Sequence, residues 1–269
     1  METGERFVGR QELDPIGFYT TCSEKGEKRY QEDRCVVETL RLGDLRLQML
    51  AIMDGHSGSE VAELVKNILP RIVEDSFLQT GADIPRLLQN AISTIDEHTR
   101  YNYSGSTLSM VVIPDNESKA YVAVLGDSPV IILDKEGKAV TSPDHNIRTN
   151  LVERNEAIKR GATTNGRYIY DQKSGNGIQM SRALGDASMD SILNRTPEIY
   201  EVNLNEDSFI IVATDGVFDP GHDSEFDVHR VIEAVDGGAE AKDLVKDALE
   251  RQTGDNATAV VWRARTNVR

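Results

Sequence analysis

Acidic residues set at the ends of short apolar runs are the feature that most constrains this chain. LAIMDGHSG carries Asp54, AVLGDSP carries Asp127 and IIVATDGVFD carries Asp215, each closing an apolar run beside a glycine. GDNATAVVW places Asp255 just ahead of another run, and Glu32-Asp33 in KRYQEDR precedes the stretch 35–40. The runs are brief and rich in β-branched residues, which reads as buried strand. If those strands pack together, their ends gather several carboxylates in one place, a repulsion tolerable only with cations present. Oxygen donors of this kind suit hard divalent cations such as magnesium and manganese. Taken singly, Asp-Gly is a turn dipeptide. Recurrence brings a multi-metal carboxylate site level with that reading, and on these residues alone both stay open. HExxH, EF-hand and Walker patterns are absent from the sequence.

Strands are expected at 47–53, 108–113, 120–125, 130–133, 209–213 and 257–262, with 35–40 a further candidate. Ile84, Leu87, Leu88, Ala91, Ile92 and Ile95 recur at helical spacing, with Pro85 tolerable in the first turn. A second stripe, Val61, Leu64, Val65, Ile68 and Ile72, is expected to kink or end at Pro70. Val228, Val231, Ile232 and Val235, then Ala241, Leu244, Val245, Ala248 and Leu249, predict two more helices divided by Gly237-Gly238. Strands and helices that come in clusters favour α+β layering around an antiparallel sheet over a regular βαβ alternation. Between 142 and 177 periodicity fades while glycine, asparagine and threonine accumulate, so this stretch reads as a functional loop. With 269 residues, no internal repeat and no linker-like tract, one domain over 1–269 is expected.

Lysine plus arginine number 30 against 45 aspartates plus glutamates, a formal net charge of −15. That argues against nucleic-acid or anionic-membrane partners, whose affinity comes from a basic surface. No run approaches the roughly 18 apolar residues of a membrane helix, and the N-terminus lacks a stretch of signal-peptide length. A soluble cytoplasmic protein is expected, the nucleus also being open, and a monomer. Cys22 and Cys35 are too few for a disulfide framework and lack a CxxC spacing, so they read as plain thiols.

The motifs also resemble, in order along nearly the whole chain, the metal-dependent protein serine/threonine phosphatases of the type 2C family. The matching segments are the QED of GEKRYQEDR, DGHSG, SGST at 104–107, GDS at 126–128, PDHN at 143–146, SRALGD at 181–186, ATDGVFD and GDNAT. The resemblance implies a four-layer α-β-β-α sandwich, two antiparallel sheets each covered by a helix pair, with the metal site at one end. It implies two Mg²⁺ or Mn²⁺ ions bridged by a water or hydroxide, with a more weakly held third. Asp33, Asp54, the carbonyl of Gly55, Asp215 and Asp255 match the ligands of the pair, Asp127 with Asp215 the third site, and Glu32 acts on a metal-bound water. His56 matches the general acid that protonates a poor serine or threonine leaving group. His98, His145, His222 and His229 read as ordinary histidines.

Where the family usually carries a phosphate-gripping arginine, this chain has Lys28, with Arg29 next to it. A lysine supplies the charge but not the bidentate fork. In an extended segment Arg29 faces the opposite way unless a bulge re-aims it, so either residue is a candidate clamp. Ser57 and Pro129 are further departures, and Pro129 removes a charge near the third-metal position. The flap-like segment 146–180 is expected to hold substrate preference, with Arg167 and Lys173 as candidate contacts for phosphopeptide acids. The expected activity is hydrolysis of phosphoserine or phosphothreonine in proteins by in-line attack of the metal-bridging water, without a phosphoenzyme. The competing reading is a pseudophosphatase scaffold that binds partners; the complete acidic set and His56 favour catalysis.

Overall fold

In the strand Leu45–Met53 of the computed structural model, every residue from Leu47 onward is buried, so both faces of the strand are covered. Leu47, Met49, Ala51 and Met53 pack with Val61, Val65 and Leu69 of helix α1 (Glu60–Thr80) and Leu88 and Ile92 of helix α2 (Ile84–Thr99). The intervening Leu50 and Ile52 pack instead with Ile210, Val212, Val260 and Trp262 of a second sheet. There the alternate residues Phe209, Ile211 and Ala213 turn outward onto Val231 and Val235 of helix α4 (Ser224–Asp236) and Leu244 and Val245 of helix α5 (Ala241–Glu250). Period-two alternation thus links a helix pair, a sheet, a second sheet and another helix pair through three apolar clusters. Across the sheet interface the Trp262 indole N–H donates to Gln48 Oε1 at 2.6 Å, which satisfies two polar groups buried among aliphatic side chains.

The structure describes residues 7–10, 16–218 and 224–265; Asp219 and His222 lie outside them. One sheet has five strands, in the order Glu198–Asn203, Lys119–Leu125, Leu108–Pro114, Leu45–Met53, Arg34–Leu42. The other has six, in the order Phe7–Arg10, Gly17–Glu24, Ala257–Ala264, Phe209–Ala213, Val130–Leu133, Ala139–Thr141. All these pairings are antiparallel, so the fold is α+β with antiparallel sheets.

Three expectations need correction. Pro70 does not end its helix: α1 runs through it to Thr80, because buried Leu69 before it and Ile72, Val73 and Ser76 after it hold both halves against the sheet. The segment between 142 and 177 is not one irregular loop. Helix α3 (Leu151–Lys159) lies in it, capped by the Asn150 side chain, which accepts from the Val152 and Glu153 N–H groups, and a small sheet of Thr163–Thr164, Ile169–Tyr170 and Gly177–Ile178 follows. The strands Gly17–Glu24, Glu198–Asn203 and Ala139–Thr141 also escape the apolar pattern, since half or more of the residues in each are at least partly exposed.

Candidate metal centre and active site

Strand register brings the acidic residues together. Arg34 pairs with Met53, so Asp33, just before one strand, lies beside Asp54, just after its neighbour. In the other sheet Ala213 pairs with Ala259, and Thr214 N–H donates to the Thr258 carbonyl, which sets Asp215 beside Asp255. The two sheets meet at Asp33, whose Oδ2 accepts from Thr258 Oγ1 at 2.8 Å and Thr214 Oγ1 at 3.1 Å. Asp54 is held by its N–H to Thr107 Oγ1, 3.0 Å. Asp127 follows the strand Lys119–Leu125 and accepts from Asn146 Nδ2 at 2.9 Å.

Gly55 and Gly216 allow close approach rather than make turns. A Cβ on Gly55 would sit 2.4 Å from the Glu32 carbonyl oxygen, and one on Gly216 would sit 1.9 Å from that of Asn256. Neither glycine has a positive φ. Each is a place where the backbones of two acidic loops touch, and any side chain there would part the loops.

Charge makes the convergence visible. Burial pushes the Asp33 carboxyl up to about 7, with Asp215 and Asp255 adding to it against the two threonine hydrogen bonds. Asp127 is likewise raised to about 7, by burial and then by Asp215 and Asp144. Asp54 is pushed well above the usual carboxylate range by burial and by the charges of Asp33, Asp215, Asp127 and Asp255. Buried carboxylates that repel one another, with neutral threonine and asparagine partners, form a donor set short of positive charge. That fits hard divalent cations.

A second cluster does not fit. His145, Glu153 and Glu198 bring possible ligand atoms within 4.8 Å of one another. The Arg182 guanidinium already fills it, with Nη2 2.5 Å from Glu153 Oε1 and 2.9 Å from Glu198 Oε1. Burial lowers His145 to about 4, and its Nδ1 accepts the Gly126 N–H at 3.0 Å. This is an ion-pair network that ties α3 to the loop bearing Asp127.

At the rim, Lys28 Nζ lies 2.8 Å from Asp255 Oδ1. Burial disfavours its ammonium form, but the Asp255 bond and the charges of Asp255, Asp54 and Glu32 prevail and raise its pKa. Arg29 is not brought into the site: its guanidinium stacks over the Tyr30 ring, 5.0 Å from the centroid. Glu32 Oε1 accepts the Gly58 N–H at 2.6 Å. His56 Nε2 lies 2.8 Å from Asp186 Oδ2. A cavity of about 310 Å³ opens beside the acids, lined in part by Asp127, Asp215, Pro129, Arg148 and Phe218. Arg167 and Lys173 are exposed and do not line it; Arg148 is the arginine that does.

Several positioning residues were not singled out from sequence. Asn256 accepts the Glu32 N–H through Oδ1 at 2.8 Å and donates through Nδ2 to the carbonyls of Lys25 and Tyr30, which fixes the loop that carries Lys28, Glu32 and Asp33. Thr214, Thr258, Asn146 and Asp186 complete the set. Asn256, Asn146 and Asp186 each stand in a motif already singled out, beside a residue given a role or inside the motif itself, and that adjacency was the available signal.

The protein phosphatase 2C family model matches residues 19–257. "Probable protein phosphatase 2C 52" of Oryza sativa subsp. japonica is 29% identical over 250 residues, covering 88% of this chain and 48% of that protein. The chain thus spans about half the length of that relative. Among solved structures, serine-threonine phosphatase 2C from Toxoplasma gondii superposes with a TM-score of 0.78 at 17% identity, covering 97% of this chain and 99% of that one. The catalytic domain of serine threonine protein phosphatase PstP in complex with 2 manganese ions gives 0.59 at 18% identity, covering 93% and 99%. At such identities the structures speak for the fold, and the sequence match speaks for descent. Since that match begins in the strand Gly17–Glu24 and ends in the strand that follows Asp255, enclosing every acidic loop of the site, the chain belongs to the protein phosphatase 2C family.

Proposed function

We propose that residues 1–269 act as a single catalytic domain, a divalent-metal-dependent phosphatase that hydrolyses phosphoserine and phosphothreonine in proteins. The observation that carries this reading is the convergence of buried, mutually repelling Asp33, Asp54 and Asp127 with Asp215 and Asp255 at one end of the paired sheets. Asp33, Asp54, the Gly55 carbonyl, Asp215 and Asp255 would hold two Mg²⁺ or Mn²⁺ ions, and Asp127 with Asp215 a weaker third. When bound, such ions supply a water of lowered pKa as nucleophile, so that no phosphoenzyme is needed, and neutralise phosphoryl charge.

The chain's own groups do the rest. Lys28 attracts the substrate phosphate at the rim. Glu32, steadied by the Gly58 N–H, orients water beside the acids. His56 hands a proton to the departing serine or threonine oxygen as the P–O ester bond breaks. The cavity beside Asp127 and Asp215 takes the flanking peptide, with Arg148 at its wall.

Phosphate release from a phosphothreonine peptide, with Mn²⁺ and with an EDTA control, tests the reading on wild type and Asp215→Ala in parallel. Metal-dependent release that drops by orders of magnitude in the variant is expected. No release from folded, metal-loaded wild type would overturn catalysis in favour of a partner-binding scaffold. His56→Ala should slow the peptide by roughly 100-fold or more, and p-nitrophenyl phosphate far less, because a phenolate leaves without protonation. Equal losses on both would remove the general-acid role.

A further inference from the structure

Three chain segments from distant parts of the sequence pair into a small sheet of their own: Gly55–His56, Gly105–Ser106 and Leu184–Gly185, with Gly105 opposite both His56 and Gly185. These are the hearts of DGHSG, SGST and SRALGD, and their pairing places His56 and Asp186 on either side of Gly105. A Cβ on Gly105 would sit 2.1 Å from Asp186 Oδ2 and 2.2 Å from His56 Nε2. The hydrogen bond between the two side chains, 2.8 Å, crosses the space that this glycine leaves empty.

Asp186 is built for this one contact. Its backbone is left-handed at φ 52°, a conformation that costs a non-glycine residue roughly 1 to 2 kcal/mol. Its N–H is fixed to the Ser104 carbonyl at 3.0 Å. Its side chain is 3% exposed, and among the described residues His56 is the only cation-forming group paired with it. A carboxylate so deeply buried needs a donor, and a carboxylate can only accept, so the proton of the bond sits on His56 Nε2. The other ring nitrogen, Nδ1, is buried without a protein partner.

We propose that Asp186 is the positioning residue of the candidate active site: by holding His56 Nε2–H it fixes the ring orientation, so that when the ring carries both protons it is Nδ1–H, on the nitrogen without a protein partner, that goes to the leaving oxygen while Nε2–H stays on Asp186. The catalytic part of this inference rests on the general-acid role of His56 proposed above; the side-chain geometry does not.

Two measurements test it. In metal-free wild type, ¹⁵N-resolved NMR of the His56 side chain should show Nε2 carrying a proton hydrogen-bonded to a carboxylate, and Asp186→Asn should abolish that signature. In turnover, Asp186→Asn should lower kcat on a phosphothreonine peptide by roughly 10- to 100-fold, as loss of an orienting partner typically does, with KM unchanged and p-nitrophenyl phosphate little affected. The His56→Ala/Asp186→Asn double variant should be no slower on the peptide than His56→Ala alone. Equal losses of kcat on both substrates in a folded variant, or a wild-type ring with no proton on Nε2, would overturn the proposal. If wild type turns over neither substrate, the phosphatase reading fails instead, and the ring signature decides the pairing alone, whether or not any variant folds.

Discussion

Lys28 and Arg29 are one position apart and meet different surroundings, Asp255 for the first and the Tyr30 ring for the second. The segment is turn and bend rather than strand, and its path, held by Asn256 at the Lys25 and Tyr30 carbonyls, sends the two side chains to different partners. Sequence could narrow the clamp to these two residues. It could not choose, because a single bulge would reverse the outcome. With Lys28 the one turned to the acids, Lys28→Ala should raise KM for phosphopeptide about tenfold, the low end for a charge-assisted hydrogen bond of about 1.5 kcal/mol at a half-exposed place. Arg29→Ala should leave KM within about twofold. Steady-state kinetics on both variants decides the matter, and a large KM effect at Arg29 alone would show that the loop rearranges around substrate. The acidic ligand candidates were legible for a different reason: each abuts a strand whose burial is written as an apolar run, so position and chemistry are read together. Thr214, Thr258 and Asn256 lie in the same motifs as the acids, but their roles are hydrogen bonds to partners far along the chain, which adjacency flags and no local pattern specifies.

Elements show the same division. Strands buried on both faces, such as Leu108–Pro114 and Phe209–Ala213, announce themselves as continuous apolar runs. The edge strand Glu198–Asn203 buries only Val202 and reads as nothing in particular. Helix α3 is the sharper case, because its buried positions are Glu153 and Ala157 while Leu151, Val152 and Ile158 are exposed, an inversion of the usual stripe. What holds α3 is the ion pair of Glu153 with Arg182, both about nine-tenths buried, with Ser181 Oγ–H donating to the same carboxylate. Burial opposes the Glu153 charge, but the Arg182 and Ser181 hydrogen bonds prevail and lower its pKa. Glu153→Ala leaves the buried Arg182 guanidinium only half-exposed Glu198 and the Thr196 carbonyl as partners, so it should cost about 3 kcal/mol in denaturant unfolding, the low end for breaking a buried pair. The double variant Glu153→Ala/Arg182→Met should cost less than the sum of the singles. A loss under about 1 kcal/mol in Glu153→Ala would mean that α3 is held by its apolar contacts instead.

For the molecule as a whole, the site works against the fold until cations arrive. Burial and neighbouring aspartates raise Asp33 and Asp127 to about 7, against about 3.9 for an unfolded aspartate. Between those values the metal-free folded protein binds more protons than the unfolded chain, so its stability falls as pH rises through that window. The contribution is complete below the unfolded pKa and gone above the folded one. Metal-free protein should therefore melt at a higher temperature near about pH 5.5 than near about pH 8. Divalent cations held by the ionised carboxylates, as proposed above, would turn the preference round. At a hundredfold excess over Kd, Mg²⁺ should add about 2.7 kcal/mol, roughly 5 to 11 °C in Tm for a chain of this size, and more of it at the higher pH. The net charge of −15 acts in the same direction as the site, because self-repulsion also grows with pH. The two are separable by calorimetry on Asp33→Asn/Asp127→Asn, which removes two of 45 acidic residues and both of these raised carboxyls. If the metal centre is the source, the double variant loses the share set by these two carboxyls, leaving that of Asp54, together with the Mg²⁺ shift; a pH dependence that survives intact would belong to the surface charge and Asp54.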